Sequence, residues 1–79
     1  MTTVLIGYLL SVRHFGRATA RQVAQRRGVS IGTARLNLAA LVRLGMLDTT
    51  TQTSRSRLYS LTEEGQIAAA AALRGGDAK

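Results

Sequence analysis

The chain has 79 residues, enough for one small domain, and its lack of cysteine excludes a disulfide staple and a thiolate zinc site. One histidine and four acids leave little material for a metal centre or an acid–base pair, so neither an enzyme nor a cofactor-binding protein is expected. The formal net charge of +7 is concentrated: Arg13 to Arg57 carries nine of the eleven basic residues, all arginine, against one acid, Asp48. A segment this basic points to a polyanion, and nucleic acid is the usual one because arginines that neutralise phosphates release condensed counterions.

The first helix is expected over Thr3 to Phe15. Val4, Leu5, Tyr8, Leu9, Val12 and Phe15 recur at helical spacing, and Ile6 and Leu10 widen the stripe. Arg13 interrupts the apolar run well short of a membrane span, and the run lacks the basic start and small-residue cleavage site of a signal peptide. It reads as a buried helix, with no membrane partner. The stripe is wider than one small core needs, so Leu5, Tyr8, Leu9 and Val12 are expected to contact a second subunit, giving segment 1–16 a role in a homodimer. Gly16 is the stop.

Thr19-Ala-Arg-Gln22 has the spacing of a capping box and opens a second helix, about Ala20 to Arg27, that buries Val23 and Ala24. Gly28 ends it in a left-handed turn, Val29 points inward and Ser30 caps a third helix, about Ile31 to Leu44. With Ala34 at the centre of the buried face, Leu38 and Leu41 fall near it. Gly32, Leu36, Ala39 and Arg43 face outward, flanked by Thr33, Arg35 and Ala40. Gly45 closes this helix.

Residues 46–61 read as a hairpin. Met46–Thr50 and Leu58–Leu61 are the strands, and the polar, basic Thr51–Arg57 is the tip. Thr62 caps a last helix over 62–73, with Glu63 and Glu64 where the helix dipole favours acids. Ile67 is its candidate dimer contact, and 74–79 is a tail. His14 has no second ligand or carboxylate at useful spacing and reads as a structural or surface residue. Tyr8 and Tyr59 read as packing residues, and three aromatics supply no base-stacking groove.

Helix, capped helix, short turn, helix, hairpin, helix is an order that resembles the winged helix-turn-helix proteins, in particular the small repressors of MarR, ArsR and PadR type. The likeness rests on Thr19–Ala24, on Val29–Leu47 and on Arg57–Gly65, whose Leu61-Thr-Glu-Glu-Gly65 resembles the exit from the wing into the final helix. The resemblance implies a mainly α fold with a small β-hairpin wing. It also implies a cytoplasmic, double-stranded-DNA-binding transcriptional regulator, a homodimeric repressor whose third helix enters the major groove. The base-reading residues it implies are Ser30, Gly32, Thr33, Arg35 and Leu36, with Arg35 suited to guanine O6 and N7. The backbone contacts are Thr19, Arg21, Arg26, Arg27 and Arg43, and the wing residues at the minor groove are Arg55 and Arg57. Larger members carry extra helices for dimerisation and a ligand pocket, which this chain lacks, so no small-molecule ligand is expected.

Leu36 stands where related repressors often have a polar reader, and Gly32, Ala39 and Ala40 bring no hydrogen-bonding groups. An architectural or accessory DNA coater of low specificity is therefore an alternative. So is a winged-helix module that binds an acidic protein, or, on the first helix alone, an amphipathic membrane anchor.

Overall fold

The computed structural model describes residues 2–53 and 56–75. The chain folds as α1 (Thr3–Phe15), β1 (Arg17–Ala18), α2 (Ala20–Arg27), α3 (Ile31–Arg43), β2 (Leu47–Thr53), β3 (Ser56–Leu61) and α4 (Glu63–Leu73). The strands form an antiparallel sheet of order β1-β3-β2. The mainly α fold with a hairpin wing expected from the sequence is thus present, with one strand more. β1 pairs Arg17 with Ser60 and Ala18 with Tyr59. Two residues carry no periodicity, so nothing in the sequence marks them as a strand. The hairpin strands also run further than expected: β2 reaches Thr53, pairing Thr51 with Arg57 and, after a register shift, Thr53 with Ser56.

Each described helix starts on a hydroxyl. Thr2, Thr19, Ser30 and Thr62 accept the backbone N–H of Leu5, Gln22, Thr33 and Gly65, which satisfies an amide that has no partner within its helix. At Thr19 the capping box is complete, because the Thr19 amide also donates to Gln22 Oε1 at 2.9 Å. α2 ends at Gly28 in the left-handed conformation (φ 71°). Two backbone amides, those of Gly28 and Val29, then close on the Ala24 carbonyl. Val29 was expected to point inward but is 36% exposed. The turn leaves it at the rim, and Ile31 packs against the core instead.

α1 lies at the centre, in contact with α2, α3, α4, β1 and β3. That position corrects the reading of its wide apolar stripe. Tyr8, Leu9 and Val12 are buried in the chain's own core with Val23, Leu38 and Leu41, so they have no surface left for a second subunit. A helix packed on several sides needs apolar residues on several faces, so the width of the stripe reflects neighbours within the chain. Leu5 is half-buried against the same core, whereas Ile67 on α4 is 64% exposed.

The exit of α3 is fastened to the entrance of α4. The Gly45 turn (φ 79°) brings the chain round, and Met46 N–H closes on the Leu41 carbonyl at 2.9 Å. Thr62 then holds both turn residues: its amide donates to the Met46 carbonyl at 3.0 Å and its hydroxyl to the Gly45 carbonyl at 2.6 Å. The same hydroxyl accepts Gly65 N–H at 3.0 Å. Gly65 is required here for space, since a Cβ at this position would overlap the Met46 carbonyl oxygen, a backbone atom with no freedom to move aside. Gly65→Ala is therefore expected to be among the severest single changes, costing more than about 3 kcal/mol or preventing folding. Thr62→Ala, which removes a cap and a tertiary hydrogen bond, is expected to cost about 2 kcal/mol. Urea unfolding followed by circular dichroism measures both.

Candidate nucleic-acid interface

The candidate surface is built on α2, the turn at Gly28 and the first turns of α3. Val23 and Ala24 fix α2, and Ala34, Leu38 and Leu41 fix α3, each set on the buried face. What remains outward on α3 is Gly32, Thr33, Arg35, Leu36 and Arg43, all exposed, with Ala39 and Ala40 half-buried at the margins. The helical spacing read from the sequence therefore places both faces, although α3 ends one residue early, at Arg43.

The polar groups at the start of α3 are partly engaged among themselves. Ser30 Oγ accepts Thr33 N–H at 3.1 Å and donates to Thr33 Oγ1 at 3.0 Å, which leaves the Thr33 hydroxyl proton for an outside acceptor. Asn37 is turned back on the helix, with Nδ2 donating to the Thr33 carbonyl at 3.0 Å. Arg35 alone among the exposed α3 residues near Leu36 offers a guanidinium. Thr19 has committed its hydroxyl to the capping box.

Arg21, Arg26 and Arg27 on α2, Arg35 and Arg43 on α3 and Arg57 on β3 are all exposed. Arg27 is held against α1: its guanidinium carbon lies 5.3 Å from the centroid of the buried Tyr8 ring, and the group packs on the backbone at Gly7. A Cβ on Gly7 would come within 2.6 Å of an Arg27 nitrogen, so the glycine provides the seat for the guanidinium. Arg27, expected among the phosphate contacts, is exposed and also packs at the α1–α2 contact, a role invisible without knowing that the two helices meet there. Arg13 lines a cleft with Ser60 of β3 and Gln66 of α4. Arg55, the other expected wing residue, lies outside the described residues. Among the described residues no three His, Asp or Glu side chains stand together as metal ligands. No helix of the described residues is long and apolar enough to cross a membrane.

This is the winged helix-turn-helix fold. No family model and no curated protein matches the chain, but solved structures superpose on nearly all of it. FabT of Streptococcus pneumoniae, in complex with DNA, matches with a TM-score of 0.87 and 21% identity over 99% of this chain and 56% of its own. The C80S mutant of MarR from E. coli, complexed with operator DNA, matches with a TM-score of 0.84 and 23% identity over 98% of this chain and 58% of its own. YusO of Bacillus subtilis reaches a TM-score of 0.87 and 26% identity over 99% of this chain and 57% of its own. The winged helix described here thus spans little more than half the length of these chains.

Arg27→Ala is expected to lower stability by up to about 1 kcal/mol, the worth of a cation–π contact made at the surface. In a domain this small that is a fall of up to about 4–8 °C in Tm. Arg26→Ala, exposed on the same turn, should stay within about 0.5 kcal/mol of the parent. Differential scanning calorimetry of the two variants separates the packing arginine from its neighbour.

Proposed function

We propose that the chain is a double-stranded-DNA-binding transcriptional regulator that acts as a homodimer, in the manner of a cytoplasmic repressor. One observation carries this reading. α3, the second helix of a helix-turn-helix, presents Thr33, Arg35, Leu36 and Arg43 outward beside exposed arginines of α2 and of the wing strand. It is supported by the likeness in fold to FabT, solved with DNA, and to MarR, solved with operator DNA.

α3 enters the major groove with its N-terminal half on the base edges, and Arg35 takes guanine O6 and N7 through its fork. Arg21, Arg26 and Arg43 meet phosphates on either side, and Arg57 lies with the wing at the neighbouring minor groove or backbone. Homodimerisation is supported by apolar surface on the two terminal helices, where Val4, Ile67 and Leu73 are each more than half exposed. Two reading helices about 34 Å apart then meet successive major grooves of a pseudo-palindromic site.

The architectural alternative is favoured by one observation, the scarcity of hydrogen-bonding groups at the centre of the α3 face, where Gly32, Leu36, Ala39 and Ala40 lie. Specificity decides between the two. Fluorescence anisotropy with a duplex selected from a random library is expected to give a preference of about a thousandfold or more over scrambled DNA. Tight but equal binding would establish the architectural role, and absence of binding would point to a protein partner. With Arg21, Arg26, Arg43 and Arg57 of both protomers neutralising about eight phosphates, the logarithm of the binding constant should fall with the logarithm of salt concentration at a slope of about −7. Arg35→Ala should cost the selected duplex about 10- to 100-fold and scrambled DNA far less. Arg57→Ala should weaken both alike.

A further inference from the structure

We infer that Leu36 reads the C5-methyl group of a pyrimidine in the major groove, so that recognition depends on a methyl group and not only on hydrogen bonds. The inference rests on the DNA-binding reading above and deepens it. Leu36 is 73% exposed, the most exposed large apolar side chain among the described residues. It lies in the second turn of α3, close to the centre of the outward face. Its neighbours on that face are a hydrogen at Gly32 and single methyl groups at Ala39 and Ala40, so Leu36 projects beyond them. Arg35 and Thr33 flank it on opposite sides.

A large apolar side chain held out in water in the middle of a basic surface is unfavourable in the free protein. Its placement becomes favourable where the partner offers an apolar group inside an otherwise polar, anionic groove. The major groove of DNA offers one such group, the C5-methyl of thymine. Leu36 has no polar atom, so it cannot substitute for a hydrogen bond to cytosine N4 or adenine N6, and a base without the methyl leaves it against a void. The small residues around it let the helix backbone approach closely enough for the contact. 5-Methylcytosine carries the same methyl at the same place in the groove. This contact therefore does not distinguish thymine from 5-methylcytosine, and cytosine methylation within the site is read as a gain.

The test uses the tightest duplex from the random-library selection, with thymidine replaced by deoxyuridine one position at a time. That exchange removes the methyl and keeps the base pairing. Affinity is expected to fall about fourfold at one position in each half-site, the equivalent of about 0.8 kcal/mol for one buried methyl. Placing cytosine there should weaken binding, and 5-methylcytosine should bind more tightly than cytosine. Leu36→Ala, at a site that supports no packing of the fold, should abolish the difference between thymidine and deoxyuridine while keeping the slope with salt. Leu36→Met should retain part of it. Equal affinity for thymidine and deoxyuridine at every position, with tight binding throughout, would overturn the inference and leave the DNA-binding reading intact. A methyl dependence that survives in Leu36→Ala would also overturn it. Failure to bind any duplex would remove the DNA-binding reading itself, and this inference with it.

Discussion

Two adjacent carbonyls, those of Gly45 and Met46, hold the two halves of this fold together. The helix-turn-helix ends there, and the last helix is fixed to it through Thr62, whose amide and hydroxyl reach one carbonyl each. Gly65 allows the approach by having no side chain. The hairpin between these points is consequently closed at its base by residues outside its ladder. Its register starts where Leu47 meets Leu61, immediately inside the fastening. The orientation of the wing strands relative to α3 follows from this contact at the base of the hairpin.

The basic character of the chain hides two different uses of arginine. Arg21, Arg26, Arg35 and Arg43 project from a scaffold whose core lies on the other faces of α2 and α3. Arg27, adjacent to Arg26, is folded back over Tyr8 into a seat left by Gly7. Its charge remains at the end of α2, where it also complements the helix dipole. A guanidinium can thus keep its charge at the surface while its flat apolar face packs on a ring.

Most of the architecture was legible because local chemistry and periodicity agree. The bounds of α1 and α2, the hydroxyl caps Thr19, Ser30 and Thr62 and the positive-φ glycines at 16, 28 and 45 follow from caps, stops and apolar spacing, whereas the Thr2 cap of α1 does not. The outward face of α3 followed from placing Ala34 inside. What failed depended on tertiary contact. β1 exists only because β3 passes beside residues 17 and 18. Tyr8, Leu9 and Val12 were assigned to a partner because a sequence does not say how many neighbours a helix has, and α1 has five. Val29 was judged by its hydrophobicity, whereas the turn geometry decided its place. The charge of Arg27 is plain in the sequence, whereas its contact with Tyr8 depends on α1 lying beside α2.

The helix caps have a consequence for how this molecule meets its ionic environment. All four are uncharged hydroxyls, and the first turns of α1, α2 and α3 contain no acid. The positive ends of α2 and α3 are thus left without a carboxylate in their first turns to quench them. Among the described residues the fold rests on apolar burial, neutral hydrogen bonds and the Arg27–Tyr8 contact, while the other arginines of α2 and α3 point away. For the DNA-binding function proposed above, ionic strength would act on association and spare the scaffold: a rise in salt would detach the protein and leave an intact domain able to rebind when the salt falls.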